Sequence, residues 1–112
     1  IYADGEGDLE RFLKYIEDDM EAIDRGGNTY EVIQKGYSKA TACEFTMEKL
    51  GIPKERAYVF GDSSNDLSMF EYACHTVAMG VHSPVLDPYT EYVTSRVEEN
   101  GIANALKHYG LI

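Results

Sequence analysis

The sequence predicts an α/β fold, a parallel sheet covered by helices in three layers. Two short apolar runs, AYVF at 57–60 and TVAMG at 76–80, have the continuous hydrophobicity of strands buried on both faces. A glycine, Gly61 or Gly80, stands at the end of each. Between and after them the apolar spacing changes to that of helices, and this alternation indicates β-α-β units.

Length and composition agree with that class. A chain of 112 residues fits one domain of ordinary size, and 44 % hydrophobic residues with nine tyrosines describe a folded, soluble protein. Ten Lys and Arg against 20 Asp and Glu give a net charge of −10. That balance argues against nucleic acid or an anionic membrane as the main partner, because both need a basic footprint. No apolar run approaches the ~20 residues of a membrane span. No signal peptide is visible, so a cytoplasmic location is expected. Cys43 and Cys74 show no metal-ligand spacing and read as reduced core thiols. A first residue other than Met is expected of a processed chain or an excised piece.

Taken in order, residues 8–23 (DLERFLKYIEDDMEAI) place Leu9, Phe12, Leu13, Ile16, Met20 and Ile23 at helical spacing behind Asp8 as N-cap. Beyond Asp18 the chain turns toward a strand. Gly26, Gly27 and Asn28 form a turn, so MEAID and TYEVI are expected to pair as a hairpin. QKGYS is a glycine loop ending at Ser38, which caps the helix KATACEFTMEKL. Ala40, Cys43, Met47 and Leu50 form its apolar face, and Gly51 and Pro53 stop it. After the strand AYVF, a helix near 66–74 turns Leu67, Phe70 and Cys74 inward. TVAMG is the second strand, SPVLDPYTE a segment broken by Pro88, and YVTS a third short strand. IANALKHYG closes the chain as a helix, with Ile102, Ala105, Leu106 and Tyr109 inward.

The stretch GDSSND at 61–66 is the informative one. In open α/β sheets, ligands bind beyond the carboxyl ends of the strands, and Asp62 stands there. Asp62 and Asp66 are within reach of a hard cation such as Mg²⁺, which prefers carboxylate oxygens and water. Asn65 is suited to hold a phosphate oxygen through its amide. Taken singly, each has a plainer reading, Asp62 or Ser64 as a helix cap and the rest as solvated polar residues. Together, behind one buried strand and before another that ends in glycine, they read as a site. Lys39 adds to this. A cation in the first turn of a helix opposes the macrodipole, a loss of roughly 0.3–1 kcal/mol at an exposed site, so an anion is expected beside it. That anion is either a phosphate or the carboxylate cluster. His75, His82 and His108 show no ligand spacing and read as loop and surface residues, with lining of the site as the alternative for His82, which follows the strand end.

The ordered combination GYSKATA, GDSSNDLSMF and VAMG resembles the haloacid dehalogenase superfamily, and within it the Cof-type phosphatases. The resemblance runs from about Glu31 to the C-terminus. It implies a Rossmann-like core and Mg²⁺-dependent hydrolysis of small phosphorylated substrates through a phospho-aspartate. Lys39 would match the family's phosphate-stabilising lysine and Asn65 the asparagine beside the phosphate. Asp62 would match the metal-binding acid, with Asp66 supporting it through water or a hydrogen bond. Residues 1–34 then resemble the end of an α/β cap domain, and 35–112 the C-terminal part of the core.

Two departures stand out. Val81 and His82 replace the Asn-Ala that usually follows AMG. The nucleophile motif DxDG is absent: Asp4 and Gly5 match its second half, but Tyr2 occupies the nucleophile position, and a phenol cannot form an acyl phosphate. The expectation is therefore a partial core without its nucleophile strand, inactive alone, with an exposed sheet edge inviting self-association. A non-catalytic binding or regulatory module with the same fold is the alternative. The phosphorylation domain of cation-pumping ATPases shares the motifs but needs membrane spans and a nucleotide domain.

Overall fold

The computed structural model describes residues 1–5 and 7–112. Contacts divide the chain into two units, Ile1–Tyr37 and Ser38–Ile112.

The first unit holds helix α1 (Leu9–Ile16) and the antiparallel strands β1 (Met20–Asp24) and β2 (Tyr30–Gln34). Asp8 caps α1, its Oδ1 accepting from the Arg11 amide at 2.9 Å. The helix is shorter than the periodicity over 8–23 suggests. Pairing of Met20 through Asp24 with Gln34 through Tyr30 takes those residues into the hairpin. Gly26, Gly27 and Asn28 all adopt positive φ in the turn between the strands. Ile1, Tyr2 and Ala3 run beside β2 and its turn, with Tyr2 bridged to Thr29.

The second unit starts with α2 (Lys39–Leu50). Ser38 caps it reciprocally with Thr41: the Ser38 hydroxyl accepts from the Thr41 amide at 3.2 Å and the Thr41 hydroxyl from the Ser38 amide at 2.8 Å. Gly51 ends the helix in the left-handed region, at φ 64°. There follow β3 (Tyr58–Gly61), α3 (Leu67–Tyr72), β4 (His75–Ala78), β5 (Tyr92–Val93) and α4 (Gly101–His108). The strands form a parallel sheet in the order β3-β4-β5, with Tyr58 opposite His75 and Ala78 opposite Val93. Thr76 through Met79 are buried without alternation, as a central parallel strand requires. Val59, Phe70, Ala78 and Leu86 form the core cluster, with Cys43, Leu67, Met69 and Ala73 packed on it.

Three inward assignments are corrected. Helix α3 ends at Tyr72, so Cys74 falls outside it and is exposed. Leu50 and Ile102 are also exposed, because apolar spacing marks a face without saying how far a neighbour covers it. Among the described residues, no helix is long and apolar enough to cross a membrane.

Candidate functional site

The site begins where β3 stops. A Cβ on Gly61 would lie 2.7 Å from Asp66 Cβ and 2.7 Å from Phe70 Cε2, so only glycine lets the next turn fold back under the strand end. That turn, Ser64–Asp66, brings the Asp66 carboxylate beneath the loop, where the residue is 4 % exposed. A buried carboxylate is costly unless donors surround it. Asp66 Oδ2 accepts from the Asp62 amide at 2.9 Å and the Ser63 amide at 3.2 Å, and Oδ1 accepts from the Lys39 ammonium. Burial pushes the Asp66 carboxyl up. The Lys39 hydrogen bond and the two amides outweigh burial and hold it below the usual carboxylate range.

Lys39 is the first residue of α2, and Asp66 is the anion that offsets its unfavourable place there. Its side chain remains 45 % exposed, so the ammonium stays accessible from outside. Asp62 is held at both sides of its backbone: its amide donates to Asp66, and its carbonyl accepts from the Ser83 amide at 2.8 Å. Its carboxylate is left exposed and accepts no hydrogen bond from the described residues. Asn65 accepts from the Ser63 hydroxyl through Oδ1, leaving its amide nitrogen without an acceptor among the described residues.

The structure thus brings Lys39 and Asp66 into contact and sets Asp62 and Asn65 in the same loop. It separates the roles of the two acids. Both Asp66 oxygens are engaged in holding the loop, whereas Asp62 offers a free, hard oxygen pair. Among the described residues, no group of three or more His, Cys, Asp or Glu side chains could hold a metal ion.

Two further residues take part, Ser63, which the sequence reading did not single out, and His82, for which it weighed a place at the site only as an alternative. Ser63 pairs with Asp66 as a capping box, a role expected of Asp62 or Ser64. His82, read as a surface residue, has a side chain only 14 % exposed, between the Met79 carbonyl (2.6 Å from Nδ1) and Asp87 Oδ1 (2.8 Å from Nε2). Its place just past the glycine that ends the second apolar run is the signal behind that alternative.

Comparison with known proteins follows this geometry. A family model described as haloacid dehalogenase-like hydrolase matches residues 2–106. A putative bifunctional phosphatase/peptidyl-prolyl cis-trans isomerase of Streptococcus pyogenes is 44 % identical over 85 residues, covering 76 % of this chain and 18 % of that protein. A 5-amino-6-(5-phospho-D-ribitylamino)uracil phosphatase of Bacillus subtilis, YitU, is 38 % identical over 79 residues, covering 70 % of this chain and 29 % of the relative. Among solved structures, the phosphatase BT1666 from Bacteroides thetaiotaomicron superposes with a TM-score of 0.80 at 28 % identity, over 92 % of this chain and 38 % of that one. The chain therefore spans well under half the length of each of these relatives. Matched by the family model along nearly all of its residues, the chain belongs to the haloacid dehalogenase-like hydrolases.

Proposed function

We propose that this chain supplies the metal-binding and phosphate-binding half of a Mg²⁺-dependent phosphatase that acts through an aspartyl phosphate. The observation that carries the reading is the division of labour at the end of β3. Buried Asp66 spends its charge on Lys39 and on two backbone amides, which leaves the Asp62 carboxylate free at the sheet's carboxyl edge.

Asp62 fits Mg²⁺ by donor chemistry: an exposed carboxylate on a fixed backbone suits an ion that keeps most of its waters and takes one or two carboxylates. When bound, Mg²⁺ neutralises phosphoryl oxygens that gain charge in the transition state. Asp66 acts indirectly, by fixing the loop. The Lys39 ammonium, still partly exposed, provides a point charge for the phosphate, and the Asn65 amide nitrogen a donor. Lys39 and the ion together make a locally positive site in a chain of net charge −10.

Residues 1–34 serve as the end of a cap domain and 35–112 as part of the hydrolase core. The substrate class is a small phosphorylated metabolite in the cytoplasm, in keeping with the ribitylaminouracil phosphate named for the relative YitU. These 112 residues carry no DxDG, and Tyr2 stands where its first acid would be. Without a carboxylate nucleophile the chain by itself does not turn over substrate. Strand β3 pairs on one side with β4 and with no described strand on the other, which leaves an edge for self-association.

The test is p-nitrophenyl phosphate hydrolysis with Mg²⁺, by the 112-residue chain and by the whole protein. The chain alone should be inactive, and light scattering of the same sample should show species larger than a monomer. The whole protein should turn over, and Asp62→Asn should reduce its rate by about 10³-fold or more, since the ion is worth several kcal/mol. An inactive whole protein that still binds phosphate esters would favour the binding-module reading.

A further inference from the structure

The structure points to a residue that the family motifs do not account for, His82. We propose that His82 is a positioning residue for Asp62: clasped between the Met79 carbonyl and Asp87, it holds the loop whose Ser83 amide fixes the Asp62 backbone, and so sets the affinity of Asp62 for Mg²⁺. This rests on the reading of Asp62 as a metal ligand.

The geometry is a closed circuit. The Met79 amide donates to the Gly61 carbonyl at 3.0 Å, and the Ser83 amide to the Asp62 carbonyl at 2.8 Å. The loop from Met79 to Ser83 is thus laid along the end of β3, with one contact to the peptide before Asp62 and one to the peptide after it. From within this loop the His82 ring reaches back to the loop's start, Nδ1 to the Met79 carbonyl at 2.6 Å, and forward to the turn that follows, Nε2 to Asp87 Oδ1 at 2.8 Å. The Leu86 amide donates to the Ser83 carbonyl at 3.0 Å, and Leu86 is wholly buried in the core. The clasp is therefore anchored at one end to the core and at the other to the candidate metal ligand.

Chemistry fixes the form of the ring. A carbonyl oxygen and a carboxylate are both acceptors, so each nitrogen that faces one must carry a proton. While both contacts are made as hydrogen bonds the ring is an imidazolium, and its bond to Asp87 is charge-assisted. Among the described residues Asp87 is the charged group that bears on the ring, and it raises the His82 pKa against a smaller opposing effect of burial, with the Met79 carbonyl adding to the rise. Loss of the proton leaves one nitrogen lone pair facing an acceptor, and the loop loses one of the two ties made by the ring. Groups that orient a metal ligand from behind typically change affinity 10–100-fold when removed.

The experiment is calorimetric titration of the whole protein with Mg²⁺ across pH, for wild type, His82→Ala, Asp87→Ala and Asp62→Asn. His82→Ala should weaken binding tenfold or more. Wild-type affinity should fall as the pH rises through the His82 titration, whereas His82→Ala should show no such step. Asp87→Ala guards against a folding artefact, because the Asp87 side chain is 63 % exposed and leaves the core untouched. It should weaken binding several-fold while the protein still melts in one cooperative transition. Wild-type affinity in both clasp variants, with Asp62→Asn abolishing binding, would overturn the role of His82 alone. Undiminished binding in Asp62→Asn would overturn the metal-ligand reading and this inference with it.

Discussion

The two ends of the three-stranded sheet differ sharply. At the amino ends of the strands, aromatic rings close the surface: Tyr58 stacks on His75 at 4.4 Å, Tyr92 on His108 at 4.0 Å, and Tyr109 stands edge-on to Tyr58 at 5.0 Å. Glu91 faces His75 Nδ1 at 3.0 Å and accepts from the Tyr109 hydroxyl at 3.1 Å. Burial, aided by Glu91, pushes the Tyr109 phenol up to about 12. At the carboxyl ends, Gly61 opens the chain, one acid is buried to brace the loop and another is left free. One end spends its polar groups on itself. The other keeps a charge in hand.

Four changes would break or sharpen that contrast. The largest effect should come from Gly61→Ala, whose methyl group would collide with Asp66 and Phe70. Overpacking of this kind costs roughly 1–3 kcal/mol, read as a lower urea midpoint. It should also weaken Mg²⁺ binding by displacing the brace under Asp62.

Next come the pH limits of the carboxyl end. The Asp66 carboxyl is held below its ordinary value, so its contribution is present above about pH 4 and is lost as pH falls through the folded value. Lys39→Met should move the acid unfolding midpoint upward, because the ammonium is one of the groups that hold Asp66 ionised. His82 is shifted the other way, so its contribution is complete below about pH 6.5 and is lost as pH rises through its raised value. His82→Ala should flatten that limb in thermal melts followed from pH 6 upward.

The smallest effect belongs to the aromatic end. Tyr109→Phe removes one partly exposed hydrogen bond and should cost about 0.5–1.5 kcal/mol in denaturant titration. Mg²⁺ affinity should be unchanged, since this residue lies at the opposite end of the strands. A change there would dissolve the distinction between the two ends.

How much could be read beforehand follows from the range of the forces involved. The caps at Asp8 and Ser38, the turn at Gly26–Asn28 and the stop at Gly51 were legible, because each depends on atoms within a few residues. The strands β3 and β4 were legible from unbroken hydrophobicity. The hairpin of Met20–Asp24 with Tyr30–Gln34 was legible from β-prone runs around a glycine turn, and α1, expected to about Asp18, ends at Ile16 because the chain must already turn toward that pairing. Cys74, Leu50 and Ile102 were placed inward on spacing alone, which cannot tell whether a neighbouring layer reaches that far. Lys39 in the first turn of α2 and Asp62, Asn65 and Asp66 past the end of β3 stood out as residue types that folding does not ask for in such places. Their different tasks did not.

From the sequence alone came the family, the order of elements and the four polar residues set around a glycine-ended strand, because local periodicity and motif chemistry encode these. Only the tertiary structure decided that Asp66 braces while Asp62 stays free, and that His82 ties the neighbouring loop. Those assignments depend on contacts between segments as many as 27 residues apart, and no local pattern specifies which oxygen meets which donor.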